Sequence, residues 1–295
     1  DLLFAIQNKA NFIAASFVSN KQNVLSLRKF LVDNGGSDIK IISKIENSSG
    51  IKNISEIIEA SDGIMVARGD LGVEIPLEKL PSVQKKLISE CLDHGKFVVV
   101  ATEMLESMTN SVRPTRAEVS DVANAIYEKA TATMLSGETA VGKHPALVVK
   151  TMAKILLEAE KHISYNQDFI SSKRKVHGVS DSICKTTCQN AIGVNAKLIV
   201  VFTSSGNTAH LISSNRVSTP ILAITPNQNV YDSLALSWNT TAYKNDIISS
   251  EKEMLHFAEN TAKTLELVRK NDIIVVTTGT PEVSGQTNML KIIKI

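Results

Sequence analysis

Short apolar runs recur along the first part of the chain, at residues 12–16, 39–45, 63–67, 97–101 and 131–135, with helix-length segments between them. Each run is continuous rather than alternating, the pattern of a strand buried on both faces. Strands and helices in alternation make consecutive βα units of a parallel sheet. The spacing, roughly 25–35 residues per unit, fits a (β/α)8 barrel. Five units are visible over residues 1–163, and five do not close a barrel of eight.

Residues 164–179 are polar and irregular and read as a linker. A second α/β pattern follows over 180–295, with strands expected at 198–203, 220–225, 272–277 and 288–295. Residues 251–270 read as a helix, because Leu255, Ala258, Ala262, Leu265 and Val268 fall on one stripe. A chain of 295 residues has room for two domains. A net charge of +2 implies neither a nucleic-acid partner nor an anionic membrane surface. The densest basic cluster, Lys173-Arg174-Lys175, reads as a solvated part of the linker. No apolar run reaches the ~20 residues of a membrane span. The three cysteines lack metal-ligand spacing; Cys184 and Cys188 sit one helical turn apart, and free thiols fit a reducing compartment. Asp1 opens the chain with no signal-peptide pattern, so the cytoplasm is the expected location.

The strand ends carry the functional information. The first run stops at Ser16, the second in Ser43-Lys44-Ile45-Glu46-Asn47, the third in Ala67-Arg68-Gly69-Asp70, the fourth in Thr102-Glu103 and the fifth in Ser136-Gly137-Glu138-Thr139. In a barrel these ends converge on one face, where such folds place their active sites. Lys44 and Glu46 are two apart on a strand, so both side chains point the same way. A cation and a carboxylate aimed at one mouth suit a charged substrate with a metal. Glu46 and Asp70, on adjacent strands, offer two hard oxygen ligands to magnesium, which completes its shell with substrate oxygens and water. Gly69 permits close backbone approach beside Asp70. A purely structural reading stands next to each of these. Lys44 can be half of a rim ion pair, and Arg68 a neutraliser of nearby carboxylates. Thr102 and Ser136 can be hydroxyls bonded to backbone.

The segment Ile42-Ser43-Lys44-Ile45-Glu46-Asn47 resembles the signature of pyruvate kinases. Ser61-Asp62-Gly63-Ile64-Met65-Val66-Ala67-Arg68-Gly69-Asp70-Leu71-Gly72 is similar to the same family's next motif. So are Ala101-Thr102-Glu103-Met104-Leu105-Glu106-Ser107-Met108, Arg113-Pro114-Thr115-Arg116-Ala117-Glu118 and Met134-Leu135-Ser136-Gly137-Glu138-Thr139, in family order and spacing. The resemblance covers essentially the whole chain. It implies an α/β fold: the last five βα units of a partial (β/α)8 TIM barrel, followed by a three-layer α/β regulatory domain. It also implies phosphoryl transfer from phosphoenolpyruvate to ADP, giving pyruvate and ATP in the last step of glycolysis, with Mg2+ or Mn2+ and K+. By resemblance, Lys44 stabilises charge on the transferring phosphoryl group and the enolate, and Glu46 and Asp70 bind the divalent metal. The backbone of Ala67 and Gly69, with Arg68 nearby, lines the phosphoenolpyruvate pocket. Thr102 sits against the enolate carbon, and Ser136 and Glu138 belong to the relay that protonates it. Such chemistry depends on positioning and charge stabilisation more than on covalent catalysis.

Glu103 departs from the family pattern, which usually carries Gln there. Three barrel strands, the mobile lid domain, a phosphate-binding Arg and most potassium ligands are expected ahead of Asp1. The chain alone is therefore expected to be inactive. In the second domain, Thr203-Ser204-Ser205-Gly206-Asn207-Thr208 joins a strand to a helix. It reads either as an ordinary capped turn or as an anion cradle of hydroxyls and helix N–H groups. The resemblance favours the phosphate site of an allosteric effector. Gly279-Thr280-Pro281-Glu282-Val283-Ser284-Gly285 resembles the family's effector loop but carries no Lys or Arg, which argues against a doubly phosphorylated sugar. The family is usually tetrameric, so a homotetramer is expected at full length. The rival function is a non-catalytic effector-binding or assembly fragment. A metal-dependent aldolase or lyase on a similar barrel is a third reading, which the motif order opposes.

Overall fold

A computed structural model describes residues 1–172, 174–246, 248, 250–279 and 287–295. The chain divides into two units, Asp1–Ile163 and Ser164–Ile295.

In the first unit, β1 (Phe12–Ala15), β2 (Lys40–Ile45), β3 (Gly63–Ala67), β4 (Phe97–Ala101) and β5 (Ala132–Met134) pair in chain order, all parallel. Each lies within one residue of its expected bounds. β3 and β4 are buried along their whole length, as their unbroken apolar runs require. On one face Ile41, Ile45, Ile64, Val66, Val98 and Val100 join a core with Leu87, Ile88, Val122 and Val148 of the covering helices. Each such side chain contributes about 1.5–3 kcal/mol on leaving water. Gly63 is fixed by close approach: a Cβ there would lie 2.8 Å from the Phe97 carbonyl oxygen. Capping residues start the helices. Asn20 accepts from the Asn23 N–H ahead of helix Lys21–Asp33, and Thr115 accepts from the Glu118 N–H ahead of helix Arg116–Tyr127. The sheet is open, with β1 and β5 as its edges and their residues part-buried or, at Ala14, exposed.

The second unit is a mixed sheet in the order β10-β9-β6-β7-β8. β6 (Leu198–Phe202), β7 (Ile221–Thr225), β8 (Thr240–Lys244) and β9 (Ile273–Gly279) run parallel, and β10 (Thr287–Lys294) is antiparallel at one edge. Cys184, Cys188 and Ala191 of helix Gly178–Gly193 pack on one face. Ala258 and Ala262 of helix Glu251–Thr264 pack on the other. This is the expected three-layer arrangement. Burial pushes all three thiols up, that of Cys184 to about 12, so they serve as packing groups rather than nucleophiles.

Four local expectations are corrected. Helix Glu251–Thr264 stops short of residue 270 because Glu266 turns left-handed, φ 56°, although Val268 stays in the core. β8 was not foreseen. Residues 164–179, expected to be irregular, contain helix Tyr165–Ser171 with Phe169 buried. Arg174 is no solvated connector: it is buried and its fork meets Asp181 at 2.5 and 3.1 Å. Among the described residues, no helix is long and apolar enough to cross a membrane.

Candidate active site

The strands of the first unit end level with one another. Ile45 pairs Val66, Ala67 pairs Ala101, and Ala101 pairs Met134. The next residues of each strand therefore stand on one rim. Glu46 is 1% exposed there, and the Lys44 ammonium lies 2.5 Å from its Oε1. The alternation of side chains along β2 produces this pairing. The Glu46 Oε2 accepts the Phe17 N–H at 2.5 Å, and Lys44 Nζ also donates to Ser16 Oγ at 3.1 Å. The two residues that follow β1 thus orient the ion pair. Phe17 has φ 55° and an exposed ring, so its backbone is turned to deliver the N–H.

Helix Arg68–Glu74 begins where β3 ends. Asp70 is therefore not a strand residue but belongs to this helix's first turn, where the helix's partial positive charge favours a carboxylate. It is exposed, whereas Arg68 is buried. The Arg68 fork is fully engaged. Its Nη1 donates to both Asp121 oxygens at 2.8 and 2.6 Å, while Nε and Nη2 donate to the Thr102 carbonyl at 3.2 and 2.7 Å. Nη2 also donates to the Glu103 carbonyl at 3.1 Å.

Those two carbonyls belong to a pair of left-handed residues, Thr102 at φ 70° and Glu103 at φ 52°. A left-handed β-branched residue costs about 1–3 kcal/mol and persists only where its surroundings fix it. The Thr102 hydroxyl donates to the Ala101 carbonyl at 2.6 Å and accepts the Gly69 N–H at 2.8 Å. The hydroxyl is thus bonded to backbone on both sides, and its bond to Gly69 ties the segments after β3 and β4 together.

Glu138 is completely buried and spans two segments, accepting the Leu105 N–H at 3.0 Å and the Ser136 N–H at 2.8 Å. The Ser136 hydroxyl is buried without a hydrogen-bond partner.

Residues 1–149 match the family model for the pyruvate kinase barrel domain, and residues 181–293 match that for the pyruvate kinase alpha/beta domain. The chain belongs to the pyruvate kinase family. It is 44% identical to the pyruvate kinase of Clostridium acetobutylicum over 295 residues, covering 99% of this chain and 62% of that protein. Identity to the Staphylococcus saprophyticus pyruvate kinase is 45%, covering 99% of this chain and 50% of that protein. The crystal structure of a pyruvate kinase from Cryptosporidium parvum superposes with a TM-score of 0.92 at 41% identity, over 99% of this chain and 60% of that one. The chain thus spans roughly half to three fifths of the length of the pyruvate kinases it matches.

In the pyruvate kinase alpha/beta domain, the turn Thr203–Thr208 divides its residues by burial. Thr203 and Thr208 are buried and engaged: Thr203 Oγ1 accepts the Gly206 N–H at 3.0 Å, and the Thr208 hydroxyl meets that of Thr287. Gly206, φ 82°, makes the left-handed turn into helix Asn207–Ser214. Ser204, Ser205 and Asn207 are exposed. The expected effector loop, beyond Gly279, lies outside the described residues. Sequence reasoning placed Ser16 at a strand end without a partner, and missed Phe17 and Asp121, which act through contacts with residues far away along the chain.

Proposed function

We propose that this chain carries part of a site for phosphoryl transfer from phosphoenolpyruvate to ADP, giving pyruvate and ATP at the close of glycolysis. The observation that carries the reading is the Lys44 ammonium, held by a buried Glu46 and by Ser16 on a rim it shares with the linked Gly69 and Thr102. A fixed cation at that position stabilises charge on the transferring phosphoryl group and on the developing enolate. Gly69 and Ala67 offer backbone to phosphoenolpyruvate, Thr102 stands beside the enolate carbon, and Ser136 with Glu138 moves a proton toward it.

Glu46 and Asp70 fit a divalent ion by donor type. They are two hard carboxylates, the donor type that magnesium takes. Bound there, Mg2+ or Mn2+ would supply positive charge to phosphoryl and enolate oxygens. K+ would take most of its ligands from other segments. ADP and phosphoenolpyruvate are the substrates, Ser204, Ser205 and the helix start receive an effector phosphate, and the working protein is a cytoplasmic homotetramer. The open sheet favours one qualification: these 295 residues alone bind or assemble but do not turn over.

The test is Lys44→Met in the full-length protein, assayed for ATP formation. Turnover falls by roughly 10²–10³-fold or more, measured at a temperature where the variant is folded, because loss of Lys44 leaves the buried Glu46 carboxylate without its partner. A variant with parental turnover would refute the role of Lys44.

A further inference from the structure

Helix Arg116–Tyr127 presents two carboxylates to the loop after β4. Glu118 and Asp121 are three apart, hence on one face. Glu118 takes the Ser107 N–H at 2.7 Å and the Ser107 hydroxyl at 2.6 Å. Asp121 takes both bonds from one Arg68 nitrogen, and the rest of that guanidinium holds the carbonyls of Thr102 and Glu103. Two consecutive non-glycine residues in the left-handed region do not hold that shape by themselves. What fixes them here is one buried guanidinium facing two successive carbonyls, and what aims the guanidinium is Asp121.

From this geometry we infer that Asp121 is a positioning residue for the reaction proposed above. Through Arg68 it locks the left-handed turn that sets the Thr102 hydroxyl on the Gly69 N–H. The inference rests on that reading of the site for its kinetic consequence and on the contacts alone for its structural one. Without the carboxylate, the Arg68 fork loses two of its bonds and is free to swing. The Thr102 carbonyl loses its fixed donor, and its hydroxyl leaves Gly69. Substrate binding elsewhere on the rim persists, so the chemical step suffers more than affinity does.

Two readouts on Asp121→Ala and Asp121→Asn in the full-length protein test this. In Asp121→Ala, kcat falls by about tenfold or more while KM for phosphoenolpyruvate moves less than about threefold. Asp121→Asn, whose carboxamide oxygen still accepts from Arg68, falls in between. Amide exchange quickens at Gly69 in Asp121→Ala, while amides within β3 and β4 keep their protection. Unchanged kcat with unchanged Gly69 exchange overturns the inference. Equal loosening of β3 and β4 also overturns it, because Asp121 would then be a stability residue only. A parent protein without phosphoenolpyruvate turnover counts against the proposed function instead, and the Gly69 exchange then decides the clamp.

Discussion

Burial pushes the Glu118 carboxyl up, yet hydrogen bonds from Ser107 and Thr115 together outweigh it and leave it below the ordinary carboxylate range. Its ionised form is therefore favoured by folding. The stabilisation is present above the unfolded carboxylate value, about 4.3, and is lost as pH falls through the lower folded value. Glu118→Gln should cost about 1 kcal/mol at neutral pH, read from urea midpoints. The gap between parent and variant should close as pH falls through the lowered folded value; a gap that persists in acid would show the hydrogen bonds do not depend on charge. Thr115 and Glu118, three apart, carry the signature of this cap, although the sequence analysis took the segment only as a family motif. Lys44 and Glu46 were legible because a period of two fixes their common direction. The Arg68 partner was not, because 53 residues separate it from Asp121 and no local period links them.

Elements were legible wherever burial was uniform. β3 and β4 are covered on both faces and read as unbroken apolar runs. β8, Thr-Thr-Ala-Tyr-Lys, is an edge strand with only part-buried and exposed residues, so it offered no apolar run to find. Helix Glu251–Thr264 was overextended for the opposite reason. Its apolar stripe continues past the left-handed Glu266 into a turn that still buries Val268. The turn Thr203–Thr208 was read as six equal candidates, and burial sorts them. Ser205 sits exposed beside a helix start, with its hydroxyl 3.5 Å from the Asn207 N–H. Ser205→Glu should therefore weaken binding of a phosphorylated metabolite at least about tenfold, because a fixed carboxylate repels the phosphate. Calorimetry against a panel of sugar phosphates and nucleotides checks it. Equal binding by parent and variant across the panel would move the site elsewhere.

At the scale of the molecule, the chain joins a five-stranded open parallel sheet to a five-stranded mixed sheet. Lys44, Glu46 and Thr102 keep their mutual arrangement because they sit at the ends of β2 and β4, interior to the sheet. Among the described residues no further strand pairs with its edges β1 and β5, and such edges invite association with other strands. On the proposed reading, a rim that is only half surrounded would leave substrates unpositioned and open to water, and such losses cost large factors in rate. The most direct measurement is ATP formation from phosphoenolpyruvate and ADP, coupled to lactate dehydrogenase, on purified monodisperse 295-residue chain. The expected result is no turnover above background. Turnover that Lys44→Met abolishes would show that five strands suffice, and would contradict the account.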